Sequence, residues 1–167
     1  MKNKKSNALA GIRSDYRRAL ASSVGRAVAL REVREEMASI GLRCLLVDDG
    51  SEQRDLLAAL AFALGIGAEV AATAVVEGRN REGLHQALAE VVRMACSGCA
   101  WDAEWAAQLQ AALDISGDLM MANQRRAVEV LDSARALAAD VQSGRIQPDA
   151  IRQFEMPADL LSEEAPC

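Results

Sequence analysis

The composition predicts an all-α fold: a single-domain bundle of about five to six helices joined by short turns. Alanine, the best helix former, supplies 33 of the 167 residues. Only five residues are aromatic, and the three prolines all lie at or after position 148. A shortage of aromatic side chains argues against a sheet-rich fold, and proline is the residue that most disrupts helices. A chain of this length can bury a core without metal or disulfide support.

The first predicted helix runs from about Ser14 to Ile40, with Gly41 as its stop. Its apolar residues recur at three- and four-residue steps, as the buried face of a helix requires. They are Tyr16, Leu20, Val24, Ala27, Val28, Val33, Met37 and Ile40. The apolar run at 42–47 is too short to assign from its pattern, and we leave it open as a buried strand or an extended linker.

Four further helical segments follow from the same pattern. The second helix is expected over 51–64, with a break or kink at 65–67 and a continuation over 68–76. The next two are expected over about 80–96 and 101–116, with turns near Gly98 and Gly117. The clearest amphipathic segment is 118–141, ended by Gly144, where apolar residues repeat every seven positions. That heptad-like seam is typical of a surface that packs on another helix.

Charge divides the chain into an arm, a body and a tail. Through residue 35 there are nine Lys/Arg against three Asp/Glu, and the other 132 residues carry ten against twenty-one, which together give the net charge of −5. We expect a basic flexible arm at 1–13, a helical bundle domain at 14–144 and an acidic, proline-containing tail at 145–167. The basic arm and first helix could track nucleic-acid phosphates. The candidates are Lys4, Lys5, Arg13, Arg17 and Arg18.

The segment 56–76 is apolar enough to raise the question of a membrane span, because Glu69 is its only charge. Its apolar side chains favour insertion by about 4 kcal/mol, and Glu69 with two glycines and a threonine returns a similar amount. The flanks carry no aromatic belt and no charge asymmetry. We therefore expect a helix buried at the centre of a bundle and no contact with a membrane.

The segment Cys44–Gly50 resembles the first strand of response-regulator receiver domains, in which an apolar strand ends in paired acids that hold Mg²⁺. That resemblance implies a metal role for Asp48 and Asp49, and phosphoribosyltransferases have a similar strand. The rest of the receiver pattern is missing, since 91–94 lacks the phosphoacceptor aspartate and no lysine follows Lys5. We therefore expect a helix-capping turn here.

Cysteine and histidine offer few catalytic combinations. Cys96 and Cys99 form a CxxC pair that could be a helix junction with small thiols, a redox pair or half of a metal site. His85 is the single histidine, and its helical neighbours predict a solvated or hydrogen-bonded side chain. We expect no cofactor and no metal, and the cysteine usage favours a reducing, cytoplasmic setting.

These patterns favour a non-catalytic interaction or regulatory protein that binds another protein, itself or both as a homo-oligomer. The candidate contact residues are Trp101, Trp105, Met120, Val130, Leu137, Phe154, Leu160 and Leu161. The last three lie in the tail, which could dock as a short peptide into another protein. A nucleic-acid-associated regulator using the basic arm is the first alternative, and an Mg²⁺-dependent enzyme at Asp48–Asp49 is the second.

Overall fold

A computed structural model describes residues 22–44, 50–98 and 103–146, and every regular element in those ranges is an α-helix. The five helices are α1 (Ser23–Cys44), α2 (Gly50–Ala71), α3 (Gly78–Ser97), α4 (Ala103–Ala122) and α5 (Gln124–Ser143). The prediction of an all-α bundle of about five to six helices is confirmed.

Helix α2 lies at the centre of the bundle and contacts the other four helices, most extensively α5. Its leucines at 56, 60 and 64 have no exposed surface, and neither do Ile66 and Val70. A helix that is apolar on nearly all sides is stable only when it is surrounded by other helices. The apolar run that raised the membrane question is therefore the core of the bundle. Within the described ranges, no helix has the length and hydropathy that a bilayer crossing requires.

Small side chains allow α2 to approach its neighbours closely. A β-carbon placed on Gly67 would lie 2.7 Å from the Ser116 β-carbon and 2.9 Å from its α-carbon, so α4 passes directly over this glycine. The Ser116 hydroxyl is fully buried and donates a hydrogen bond of 2.7 Å to the Ala63 carbonyl oxygen of α2. Gly65 faces Ala134 of α5 at ordinary contact distance.

Two predicted helix ends are confirmed. Gly98 after α3 and Gly144 after α5 adopt the left-handed conformation, with φ of 62° and 68°. Their backbone N–H groups donate to carbonyls of the preceding turn, Gly98 to Met94 and Gly144 to Val141. Glycine adopts this conformation without a steric penalty, which explains why these two residues end their helices.

Other predicted breaks are wrong. Helix α1 continues through Gly41 to Cys44, so the first three residues of the unassigned 42–47 run are helical. Helix α2 runs through 65–67 without interruption and ends at Ala71 instead of Val76. Helix α4 likewise passes through Gly117.

The amphipathic segment expected over 118–141 is two helices. α4 ends at Ala122, and α5 begins after Asn123.

At the N-terminus of α1, the Ser22 hydroxyl accepts a hydrogen bond of 2.9 Å from the Gly25 N–H and so caps the helix. The expected start of that helix at Ser14 lies outside the described residues.

Candidate interaction surface

An open groove of about 680 Å³ runs between α3 and α4. These helices are consecutive in the chain and contact each other. The apolar part of the lining is dominated by small side chains, with three larger ones among them. It consists of Ala87, Ala89, Trp105, Leu109, Ala111, Ala112 and Ile115.

Trp105 connects this groove to the core. Its side chain is half-buried, packs against the hydrophobic core and contributes to the groove wall. The alanines beside it are too small to fill the space between the two helices, which leaves the groove open. Trp105 was predicted as a contact residue for a partner, and that role stays a prediction.

The rim of the groove is polar but carries little net charge. Gln86 and Gln108 are exposed on opposite sides, and Glu90 forms an ion pair with Arg93 one turn further along α3. The two charges offset each other, because they are adjacent and opposite in sign. An apolar floor with an almost neutral rim is suited to a ligand that is recognised mainly by apolar contact.

The heptad seam predicted as a partner surface is used inside the chain. Met120 is fully buried, Val130 is 3% exposed, and both belong to the hydrophobic core. Leu137 is half-buried and packs against the same core, near Gly65 of α2. Helix α2 and its neighbours therefore cover the seam, and a partner could reach Met120 or Val130 only if the bundle opened.

Several predicted contact residues lie outside the described residues. They are Trp101 in the α3–α4 connection, the tail residues Phe154, Leu160 and Leu161, and the basic residues Lys4, Lys5, Arg13, Arg17 and Arg18. The same is true of Asp48, Asp49 and Cys99. The roles predicted for them stay predictions.

The surroundings of the two described thiols, Cys44 and Cys96, favour the protonated form over the thiolate. Burial raises the pKa of the Cys96 thiol, which lies 3.7 Å from the Ile146 carbonyl oxygen and donates to it. Burial also raises the pKa of the Cys44 thiol from 9.0 to about 11, against a smaller opposing effect of the neighbouring Arg43. A nucleophilic or redox thiol requires the opposite shift. Within the described ranges, no three His, Cys, Asp or Glu side chains lie close enough together to hold a metal ion.

Glu69, the single charge in the apolar run of α2, reaches the surface at the edge of the bundle. Its side chain is 44% exposed, and a carboxylate oxygen lies 3.8 Å from the Arg126 guanidinium of α5. Arg126 also pairs with Glu129 at 3.5 Å. Solvent and a shared cation therefore compensate the cost of placing a carboxylate on a core helix.

One surface feature was not predicted. Four large apolar side chains are strongly exposed among the described residues, and three of them lie on α1: Val24 at 72%, Val28 at 55% and Leu42 at 65%. The sequence pattern grouped Val24 and Val28 with the buried face of this helix. The signal that could have separated these two valines from the buried residues is a second set of apolar positions, on the side of α1 opposite its buried face.

Comparison with known proteins finds no matching family model, no matching curated protein and no matching solved structure. The geometry and chemistry of the described surfaces therefore carry the functional proposal.

Proposed function

We propose that this chain is a non-catalytic cytoplasmic interaction module that binds an amphipathic helix of a protein partner in the groove between α3 and α4. The observation that supports this function is the combination of an open apolar groove with Trp105 in its wall. Tryptophan is enriched among the residues that contribute most binding energy in protein interfaces.

The shape of the groove favours a helix as its occupant. The groove is lined by two helices, and its alanines allow a third helix to approach to the usual interaxial distance of roughly 8–10 Å. Large apolar side chains on such a ligand, spaced three, four and seven residues apart, would fill the space above Ala87, Ala111 and Ala112. The near-neutral rim implies that binding depends little on salt.

Site-specific photo-crosslinking tests this function. A photoreactive phenylalanine derivative replaces the exposed Gln108 at the groove rim, and the crosslinked partner segment is mapped by mass spectrometry after reaction in a cell lysate. The expected product is one segment with apolar residues at helical spacing, formed equally at low and high salt. Crosslinking spread over many unrelated proteins would refute the proposal.

Two matched variants make the result specific to the groove. Ala111→Lys places a charge on the exposed part of the groove wall, and Ala107→Lys places the same charge one turn away on α4, outside the groove. Both positions are exposed, so neither variant disturbs the core. We expect Ala111→Lys to abolish the specific crosslink and Ala107→Lys to retain it. Equal behaviour of the two variants would show that the groove is not the binding site.

A further inference from the structure

The outer face of α1 carries a continuous seam that is separate from the groove. Its six members are all exposed and follow one another at steps of four, three, four, three and four residues. They are Val24, Val28, Arg31, Glu35, Ala38 and Leu42. This alternation is the heptad spacing of a coiled-coil seam. We call this set of residues the outer seam.

The opposite face of α1 is already occupied. Leu30, Met37, Ile40 and Cys44 are at most 3% exposed and belong to the core, where α1 packs mainly on α4. A helix whose only role was to cover the bundle would have a polar outer face. The valines and the leucine of the outer seam, at 55–72% exposure, lie where water would normally favour charged side chains.

We infer that a second copy of this chain covers the outer seam, in an antiparallel pair related by a two-fold axis. When the axis passes at the level of position 33, Val24 of one copy lies opposite Leu42 of the other. Val28 then lies opposite Ala38, and Arg31 opposite Glu35. Every residue of the seam thus meets a complementary one, as an isologous interface requires.

The central charges select this orientation. In an antiparallel pair, each Arg31 faces a Glu35, whereas a parallel pair would place Arg31 against Arg31 and Glu35 against Glu35. Within one chain these two side chains already form an ion pair of 3.1 Å. Across the axis the two pairs form a group of four alternating charges, so no charge in the interface is left without an opposite neighbour.

The apolar layers lie at the two ends of the seam. From Val24 to Leu42 the contact extends over about 27 Å of helix, roughly two and a half heptads. Such a contact is small, and its centre is charged, so the dimer is expected to dissociate on dilution. The outer seam and the α3–α4 groove share no residue: no residue of α1 lines the groove, and the outer seam lies on the side of α1 opposite its buried face. We therefore expect dimerisation and groove binding to be independent.

Charge exchange at the centre of the seam tests the proposal by sedimentation equilibrium of the full chain. The wild type is expected to approach twice its monomer mass of 17.8 kDa as concentration rises. Arg31→Glu and Glu35→Arg each bring four like charges together, and each should weaken dimerisation about tenfold or more. The two variants mixed together should form a heterodimer, and the double exchange Arg31→Glu/Glu35→Arg should restore the homodimer.

Controls separate this interface from others. Glu36→Lys changes an exposed charge next to the outer seam, and Ala111→Lys changes the groove; both should dimerise as the wild type does. Circular dichroism verifies that each variant is folded. A wild type that stays monomeric at all concentrations, or a dimer that tolerates Arg31→Glu, would overturn the proposal.

Orientation is tested by disulfide trapping. The variant Val24→Cys/Leu42→Cys should form a covalent dimer under mild oxidation, because the two positions face each other across the antiparallel pair. Val24→Cys alone should give no more covalent dimer than the wild type with its four native cysteines. Equal trapping of the single and double variants would refute the antiparallel arrangement.

Discussion

The close approach of α2 and α4 at Gly67 leads to a quantitative prediction for the variant Gly67→Ala. In a helix interior, alanine is favoured over glycine by about 1 kcal/mol. The added β-carbon would however lie 2.9 Å from the α-carbon of Ser116, whereas carbon atoms in good contact are about 3.5–4.0 Å apart. The two helices would have to separate by several tenths of an ångström.

The cost of that separation exceeds the gain in helix propensity. Overpacking of a core costs about 1–3 kcal/mol, and the upper end applies here because the obstacle is backbone and cannot rotate away. Moving α4 also strains the buried hydrogen bond from Ser116 to the Ala63 carbonyl. We therefore expect Gly67→Ala to lower the free energy of unfolding by about 2 kcal/mol.

Gly65→Ala is the matched control on the same helix. A β-carbon there would lie 3.5 Å from a Leu137 methyl group and 3.6 Å from the Ala134 β-carbon, which is ordinary contact. The propensity gain should then be retained, and this variant should raise the free energy of unfolding by about 1 kcal/mol. The same substitution two residues apart is thus expected to differ by about 3 kcal/mol.

Urea unfolding followed by circular dichroism measures both variants. Ser116→Gly should reduce the cost of Gly67→Ala, because it removes the side-chain part of the clash, and the double-mutant cycle would give that coupling directly. Equal stability of Gly65→Ala and Gly67→Ala, or stabilisation by both, would refute the close approach of α2 and α4.

The remaining predictions concern three single features of the chain. Because burial raises the pKa of the Cys44 thiol to about 11, iodoacetamide at neutral pH should label Cys44 only after unfolding. The same shift keeps this thiol protonated in the folded chain. Its ionisation should therefore leave the free energy of unfolding unchanged below pH 9.0 and lower it as the pH rises from 9.0 towards 11. The variant Cys44→Ala should lose less stability over this pH range than the wild type. The ion pair of 2.6 Å between Arg34 and Asp118 is more than half exposed at both ends, so Asp118→Asn should cost less than about 1 kcal/mol in urea unfolding, and the cost should disappear at high salt. If the chain binds proteins rather than nucleic acid, its affinity for duplex DNA should not fall as salt is raised, and deleting residues 1–18 should not change that affinity.

Much of the fold could be predicted because helix formation is a local property. Periodic apolar residues located the five helices of the described ranges, and Gly98 and Gly144 ended two of them as expected. The false breaks at Gly41, 65–67 and Gly117 fell at glycines that face a neighbouring helix, whereas the end of α2 at Ala71 and the break at Asn123 were missed for other reasons. Gly67 allows α4 to pass, and Gly117 lies against Arg34 and Met37 of α1. A glycine that ends a helix and one that admits a neighbouring helix are identical in a single sequence, and only the three-dimensional arrangement separates them.

The candidate surfaces were less predictable, because exposure is a property of the whole bundle. The predicted seam does contain helix-packing residues, although it is divided between Met120 on α4 and Ala127 on α5, but the sequence does not say whether the helix that covers it lies in the same chain. Here α2 covers it. The sequence singled out Trp105 as a candidate contact residue, which stays a prediction, whereas the groove beside it depends on alanines that carry no distinctive signal. The outer seam was missed because α1 has apolar residues on two faces, which share the same three- and four-residue steps.

The arrangement of the two proposed surfaces has a consequence for how such a module would act. A dimer formed through the outer seam carries two α3–α4 grooves, one on each copy, and the two-fold axis relates them. A partner with two amphipathic helices would then bind the second groove as an intramolecular event, with an affinity above that of either site alone. Arg31→Glu removes this gain without altering the groove, whereas Ala111→Lys removes groove binding from a dimer that persists. Equal affinity of the wild type and Arg31→Glu for a two-helix partner would therefore show that recognition does not depend on dimerisation.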